Sequence, residues 1–223
     1  EIKKLAYSQV KSEAIRIQVS PKDKVSKNIT HFVMFVEMDD KRFFLERFIH
    51  ENPESRIIVF VRTRVRAERV AKAMARVDIS SVTIHGDKDQ DERSDVMRAF
   101  KQGNGKLLIA TDVSARGIDI ADIDFVINYD LPERSENYVH RVGRTGRGIK
   151  KGIAISFCSQ EEKELLESIQ TFLNKPIDVL KVSKHDYTQT RTTPDEPTNL
   201  RAIINEDVAP KKRKKIKASK KKK

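Results

Sequence analysis

Ten residues, Tyr138 to Arg147, read YVHRVGRTGR and set three arginines and a histidine among glycines and a threonine. Arginine keeps its proton and offers five donors in a rigid fork, a match for phosphate oxygens. Arg144 and Arg147, three residues apart, share one face of a helical turn or tight loop. Gly143, Gly146 and Gly148 remove side-chain bulk, so that backbone and a phosphate can approach closely. Such a device suits phosphoryl transfer, in which arginine stabilises charge building on the transferred group. The plainer reading is a solvated basic patch, but a run of lysines would serve that purpose without ordered glycines.

Three further blocks precede it. IVFVRT, Ile58 to Thr63, is a buried strand that delivers the Thr63 hydroxyl to the edge of a sheet, within reach of a phosphate. Buried strands ending in threonine are common, so this block alone is weak. In HGDKDQDER, His85 to Arg93, Gly86 follows a strand and can present backbone N–H groups to an anion. Gln90 and Arg93 then share a helix face at an i, i+3 spacing; an ion pair of Arg93 with Asp87 or Asp89 is the structural alternative. In ATDVSARGID, Ala110 to Asp119, a strand carries Thr111 and Asp112 to the sheet edge, Asp112 reads as a cap of the following turn, and Gly117 permits a tight turn. Asp119 could accept hydrogen bonds from a ligand's hydroxyls or cap a helix equally well.

These blocks need a frame that brings them to one edge. The chain alternates strand and helix patterns: a strand over 29–37, a helix capped by Asp39 or Asp40 and running to His50, a buried strand over 56–62, and a helix over 65–76. The short strand VTIH and a helix over 89–100 come next, then buried strands KLLIAT and DFVINY (124–129). Ser135 opens the helix that carries the arginines; GIAISFC is a last strand, and a last helix runs over 160–173 with Leu165, Leu166, Ile169 and Phe172 inward. Repeated strand–helix units imply a parallel sheet with helices on both faces, which binds ligands beyond the carboxyl ends of its strands. The four blocks fall at those ends.

Composition narrows the class. The 223 residues, 38% hydrophobic, allow about one domain. One cysteine, Cys158, excludes an internal disulfide framework and reads as a core thiol. No segment approaches the roughly 20 apolar residues of a membrane span. The net charge of +12 is concentrated at one end: residues 211–223 hold 10 of the 45 basic residues and no acid, which leaves 35 basic against 33 acidic residues, a net of +2, for the rest. From 184 the chain is polar and reads as an extended connector over 184–210, followed by the basic tail.

Taken together and in this order, the blocks resemble motifs IV to VI of the DEAD-box RNA helicases, whose last motif is usually HRIGRTGR; Val142 replaces its isoleucine, and Ser114 and Ile118 are mild departures in ATDVSARGID. The resemblance runs from about Ile2 to Val182 and is greatest to the second domain of the bacterial RhlE-type subgroup. It implies an α/β, RecA-like three-layer domain with a central mostly parallel sheet over 25–183, preceded in 1–24 by the segment after motif III and the interdomain linker. By the same resemblance Arg144 and Arg147 are arginine fingers on ATP, and His140 joins them in catalysis and in coupling the domains. Gly117 and Asp119 hold the nucleotide; Thr63, Gly86, Arg93 and Thr111 contact the RNA backbone; Gln90 and Arg116 couple the domains; and Arg141 pairs with an acid of its own domain.

No GxxxxGK[ST] loop, DEAD tetrapeptide or SAT motif occurs in the chain. ATP phosphates and Mg2+ are therefore expected to be held by an amino-terminal RecA-like domain of the same protein, and this chain alone is expected to be inactive. The alternative is a non-catalytic RNA-binding or protein-docking module. The implied partner is RNA, bound largely without regard to sequence; the resemblance names no ribosomal or RNA-degradation assembly. A bacterial source implies a cytoplasmic location, whereas PKKRKK would resemble a nuclear import signal in a eukaryote.

The tail is the chain's strongest polyanion attractor, with Lys211, Lys212, Arg213, Lys214 and Lys215 in an unbroken run. Deleting 211–223 should weaken binding of a generic single-stranded RNA while leaving the fold intact. If about six of the tail's charges meet phosphates, their removal lowers the slope of log affinity against log salt by roughly 4. Titrations of the intact and truncated chains at several salt concentrations check this; coincident slopes would make the tail a bystander.

Overall fold

The computed structural model describes residues 23–87, 90–102, 105–112, 123–148, 150–194 and 204. Seven strands form one sheet: β1 (Ile29–Phe35), β2 (Ile57–Phe60), β3 (Val82–Ile84), β4 (Leu107–Ala110), β5 (Phe125–Asn128), β6 (Gly152–Cys158) and β7 (Asp178–Val179). Their order is β3-β4-β2-β5-β6-β1-β7, and every pairing is parallel. The helices are α1 (Lys41–Glu51), α2 (Arg64–Ala75), α3 (Gln90–Lys101), α4 (Ser135–Val142), α5 (Lys163–Leu173) and α6 (Lys184–Thr192), with a 3-10 turn over Gln160–Glu162. This is the RecA-like α/β architecture expected.

The unbroken apolar runs of the central strands follow from burial on both faces. Side chains alternate across a strand, so Ile57 and Val59 of β2 enter one core with Leu107 and Ile109 of β4, while Ile58 and Phe60 enter the other with Leu108 and Ala110. Phe44, Leu45 and Phe48 of α1 and Val70 and Met74 of α2 cover the first face. Tyr138 and Val142 of α4, Leu166 and Ile169 of α5, and Phe100 of α3 cover the second. Cys158 is buried in the second core, and burial pushes its thiol up to about 11.

Two expectations change, and one strand is added. Asp40 precedes α1 but makes no side-chain cap, because its backbone is already helical; its carboxylate instead takes the Tyr187 hydroxyl at 2.9 Å and Arg191 Nε at 3.0 Å. The start of the expected extended connector is helical: Ser183 caps α6 through Asp186 N–H, and the helix is latched onto α1. The Tyr187 ring lies 4.9 Å from Phe44, and fully buried Arg47 donates to Thr190 Oγ1 and the Thr193 carbonyl, each at 2.6 Å. Tertiary contacts override the weak periodicity of this segment. The two-residue β7 carried no sequence signal.

Helix α4 is pinned to the sheet by a buried pair, His31 Nδ1 and the Tyr138 hydroxyl, 2.8 Å apart. Burial, aided by the charge of Lys175 and opposed by Asp178, lowers the His31 pKa from 6.5 to about 4. A pKa lowered on folding means that the unfolded chain binds more protons between these values. The contribution is therefore complete above about 6.5 and is lost as pH falls toward 4. Unfolding free energy should drop by about 2 kcal/mol from pH 7 to pH 5 on this account. Urea unfolding across that range measures it, and His31→Gln should flatten the profile; a profile equally steep in the variant would assign the effect to other groups.

Candidate functional site

Strands β3, β4 and β2 end flush, with Ile84 opposite Ala110 and Ala110 opposite Phe60. The residues just beyond therefore gather at one edge: Gly86 after β3, Thr111 after β4 and Thr63 after β2. Gly86 is exposed, and a Cβ there would meet nothing within 4 Å, so its backbone is open to a ligand. Thr111 is 7% exposed, and its N–H bonds Ile84 O at 3.3 Å. Exposed Thr63 is the N-cap of α2, where its hydroxyl accepts from Arg66 N–H at 3.1 Å; the same hydroxyl retains a proton to donate. A helix start beside these strand ends adds its positive dipole end to the edge.

The three arginines of α4 and its following turn have different surroundings. Arg141 is 1% exposed. Its Nε and Nη2 grip Asp112 at 2.6 and 2.9 Å, its Nη1 donates to Asp130 O at 2.7 Å, and the guanidinium lies over the Phe60 ring at 5.2 Å. It holds α4 across the ends of β4, β2 and β5, as expected of a residue paired with an acid of its own domain. Asp112 also accepts from Asn137 Nδ2 at 3.1 Å; the turn it was expected to cap lies outside the described residues. Arg144 and Arg147 instead bend back over the helix end, Nε donating to His140 O at 3.2 Å and Gly143 O at 3.3 Å. Cations are favoured there by the exposed carbonyls. His140 is exposed beside them.

Gly146 and Gly152 serve the packing of the fold, whereas a Cβ at Gly148 would meet nothing within 4 Å. Gly146 has φ +64°, and a Cβ there would come within 2.6 Å of Ile29 Cγ1. The segment also meets Gly152, whose Cβ would collide with Gly146 N. Thr145 is buried, donating to Ile123 O at 2.6 Å. The close approach that these glycines permit is to the domain's own β1 and β6.

Beneath this edge lies a buried network that the sequence pattern does not announce. Glu162, 1% exposed, accepts four bonds: from Lys41 Nζ at 2.5 Å, Ser159 N at 3.1 Å, Leu131 N at 3.0 Å and Arg62 Nη2 at 3.2 Å. Lys41 is fully buried and also donates to Tyr129 O at 2.7 Å. Burial lowers its pKa and Glu162 opposes the shift. Asp130 accepts from Arg62 N at 3.0 Å and pairs with Arg66 at 3.3 Å. The spacing Ser159-x-x-Glu162 is a capping signal visible in the sequence; Lys41 had none.

Gly117, Asp119 and Arg116, and Lys211, Lys212, Arg213, Lys214 and Lys215 of the tail, lie outside the described residues, as do the side chains of Gln90 and Arg93. Of the acids offered to Arg93, Asp87 is paired with Arg64. Among the described residues no helix is long and apolar enough to cross a membrane.

Residues 40–148 match the family model of the helicase conserved C-terminal domain. The chain is 36% identical over 179 residues to the ATP-dependent RNA helicase RhlB of Shewanella sp. (strain ANA-3), covering 80% of this chain and 40% of that protein. It thus spans less than half the length of this curated relative. Among solved structures, the E. coli DEAD-box protein SrmB bound to regulator of ribonuclease activity A matches with a TM-score of 0.67 at 31% identity, over 78% of this chain and 99% of that one. S. cerevisiae Dbp5 bound to RNA and ADP BeF3 matches with a TM-score of 0.70 at 26% identity, over 91% of this chain and 52% of that one. These matches do not carry the narrower RhlE-type assignment. With the strand ends, the pinned α4 and these relatives in agreement, the chain belongs to the DEAD-box family, of which it is the C-terminal RecA-like domain.

Proposed function

We propose that this chain is the carboxyl-terminal half of an ATP-dependent RNA helicase that opens short duplexes locally as two RecA-like domains close. The observation that carries the reading is the division of labour within α4 and its turn. Arg141 is spent on holding the helix, whereas Arg144 and Arg147 stand at its end, their Nε groups on backbone carbonyls that a stronger anionic acceptor can replace. Closure brings these two guanidiniums to the γ-phosphate of an ATP held mainly by the other domain, with His140 bridging the gap, Gly117 and Asp119 at the ribose, and Arg116 and Gln90 in the coupling. Mg2+ belongs to the other domain. RNA lies along the strand ends at Gly86, Thr111 and Thr63, with Arg93 on its backbone, and contacts of this kind carry little sequence information. The SrmB, RhlB and Dbp5 likenesses support this assignment. The chain by itself is then silent in catalysis and acts as an RNA-binding module, with the basic tail adding nonspecific affinity.

In the two-domain protein, Arg144→Ala or Arg147→Ala should lower RNA-stimulated ATP turnover by roughly 10³-fold or more while ATP affinity changes far less, because the arginines act on charge developed in the transition state. Steady-state turnover set beside nucleotide titration separates the two. Undiminished turnover with weakened nucleotide binding would show that they serve the ground state instead.

A further inference from the structure

Beside Thr63, between the start of α1 and the first turns of α2, lie two adjoining hollows of about 280 and 340 Å³ that share Met38, Arg66 and Arg69 as walls. Arg62 lines the first and Arg42 the second. Four arginines thus face two aspartates, Asp39 and Asp130. Asp130 is already committed to Arg66 and to Arg62 N–H, and Arg62 is committed to Glu162. Arg42 and Arg69 are both exposed, and among the described residues neither is paired with a carboxylate; Arg42 stacks on the Phe43 ring at 4.3 Å. Met38, Val70 and Ala73 give the second hollow an apolar part of its lining, beside Asp39 and Tyr129. The groove is continuous with the strand-end edge, because Thr63 lines its first hollow.

We infer that this groove is a second RNA track, in which Arg42 and Arg69 each hold a phosphate of the strand that runs on past Thr63. The inference rests on the reading of the strand ends as an RNA site. Guanidinium forks fit phosphate oxygens, and the apolar part of the lining suits the face of a sugar. The excess of positive charge selects a polyanion, and the continuity with Thr63 selects the nucleic acid over an acidic protein surface.

The test uses the full chain and Arg42→Gln/Arg69→Gln, two exposed positions outside the buried network. Two oligouridines are titrated, one just long enough to reach Gly86, Thr111 and Thr63, the other several times longer. The short strand should bind the variant as it binds the parent. The long strand should bind about tenfold more weakly at low salt, and its slope of log affinity against log salt should fall by about 1.4, the value for two phosphates on a single strand. The tail is present in both proteins and cancels in the comparison. Equal losses on both lengths, or none on either, overturn the track; the second result leaves the groove to an acidic protein partner. Gly86→Glu, run in parallel, places a charge where a side chain has open space and should weaken both strands. If it weakens neither, the strand-end reading fails by a result separate from that of the groove.

Discussion

The carboxylate of Glu162 ties together the ends of four strands. Its four donors come from the start of α1 after β1, the end of β2, the connection leaving β5 and the end of β6. Taking a carboxylate and an ammonium out of water costs several kcal/mol per ion, and only good geometry and full satisfaction of both groups offset it. Here both oxygens of Glu162 are used twice, and Lys41 has a carbonyl as well as the acid. Losing one partner would strand the other charge in the core, a loss of about 3–5 kcal/mol. Such a pair acts as a geometric lock: Arg62 precedes Thr63 on one side of it, and Leu131 begins the path to α4 on the other.

Burial decides what an arginine can do here. Arg141, Arg144 and Arg147 fall within seven residues, with the same chemistry. Enclosed by Asp112, Asn128 and the Asp130 carbonyl, Arg141 turns its donors to its own domain and away from any ligand. Arg144 and Arg147 lie beyond the C-cap at Gly143, where the helix no longer encloses them. Pairing, not burial, separates exposed Arg62 and half-buried Arg66, drawn to the buried acids Glu162 and Asp130, from Arg42 and Arg69 on the rim of the groove.

The sheet was legible in the sequence because its signal is local. Runs such as IIVF and LLIA are apolar throughout, as burial on both faces requires, and GIAISFC matches β6 residue for residue. The arginine cluster was legible for a related reason: function and packing both dictate its residue types, and the glycines stand out whichever is responsible. Contacts between residues far apart in the chain were not legible. Lys41 and Glu162 are 121 residues apart, and Arg47 and Thr190 are 143 apart. Nothing near Lys41 distinguishes it from a solvated lysine, and the polar stretch of α6 carries too few apolar residues to announce a helix. His31, which belongs to no motif, gains its role only when α4 brings Tyr138 against it.

The place of β1 in the sheet bears on how the chain is made. Its neighbours are β6 and β7, so Ile29 waits for Gly152 and Phe32 for Asp178. At ribosomal speeds of roughly 5–20 residues per second, that interval lasts on the order of ten seconds. During it a strand reading ITHFVMF has both edges unpaired, while β2, β4 and β5 can already assemble among themselves. Pairings so distant in sequence must close a long loop before any contact rewards it, and form late. During synthesis β1 therefore passes through a stage with neither of its partner strands made, and whatever covers it until β6 emerges guards it from other strands.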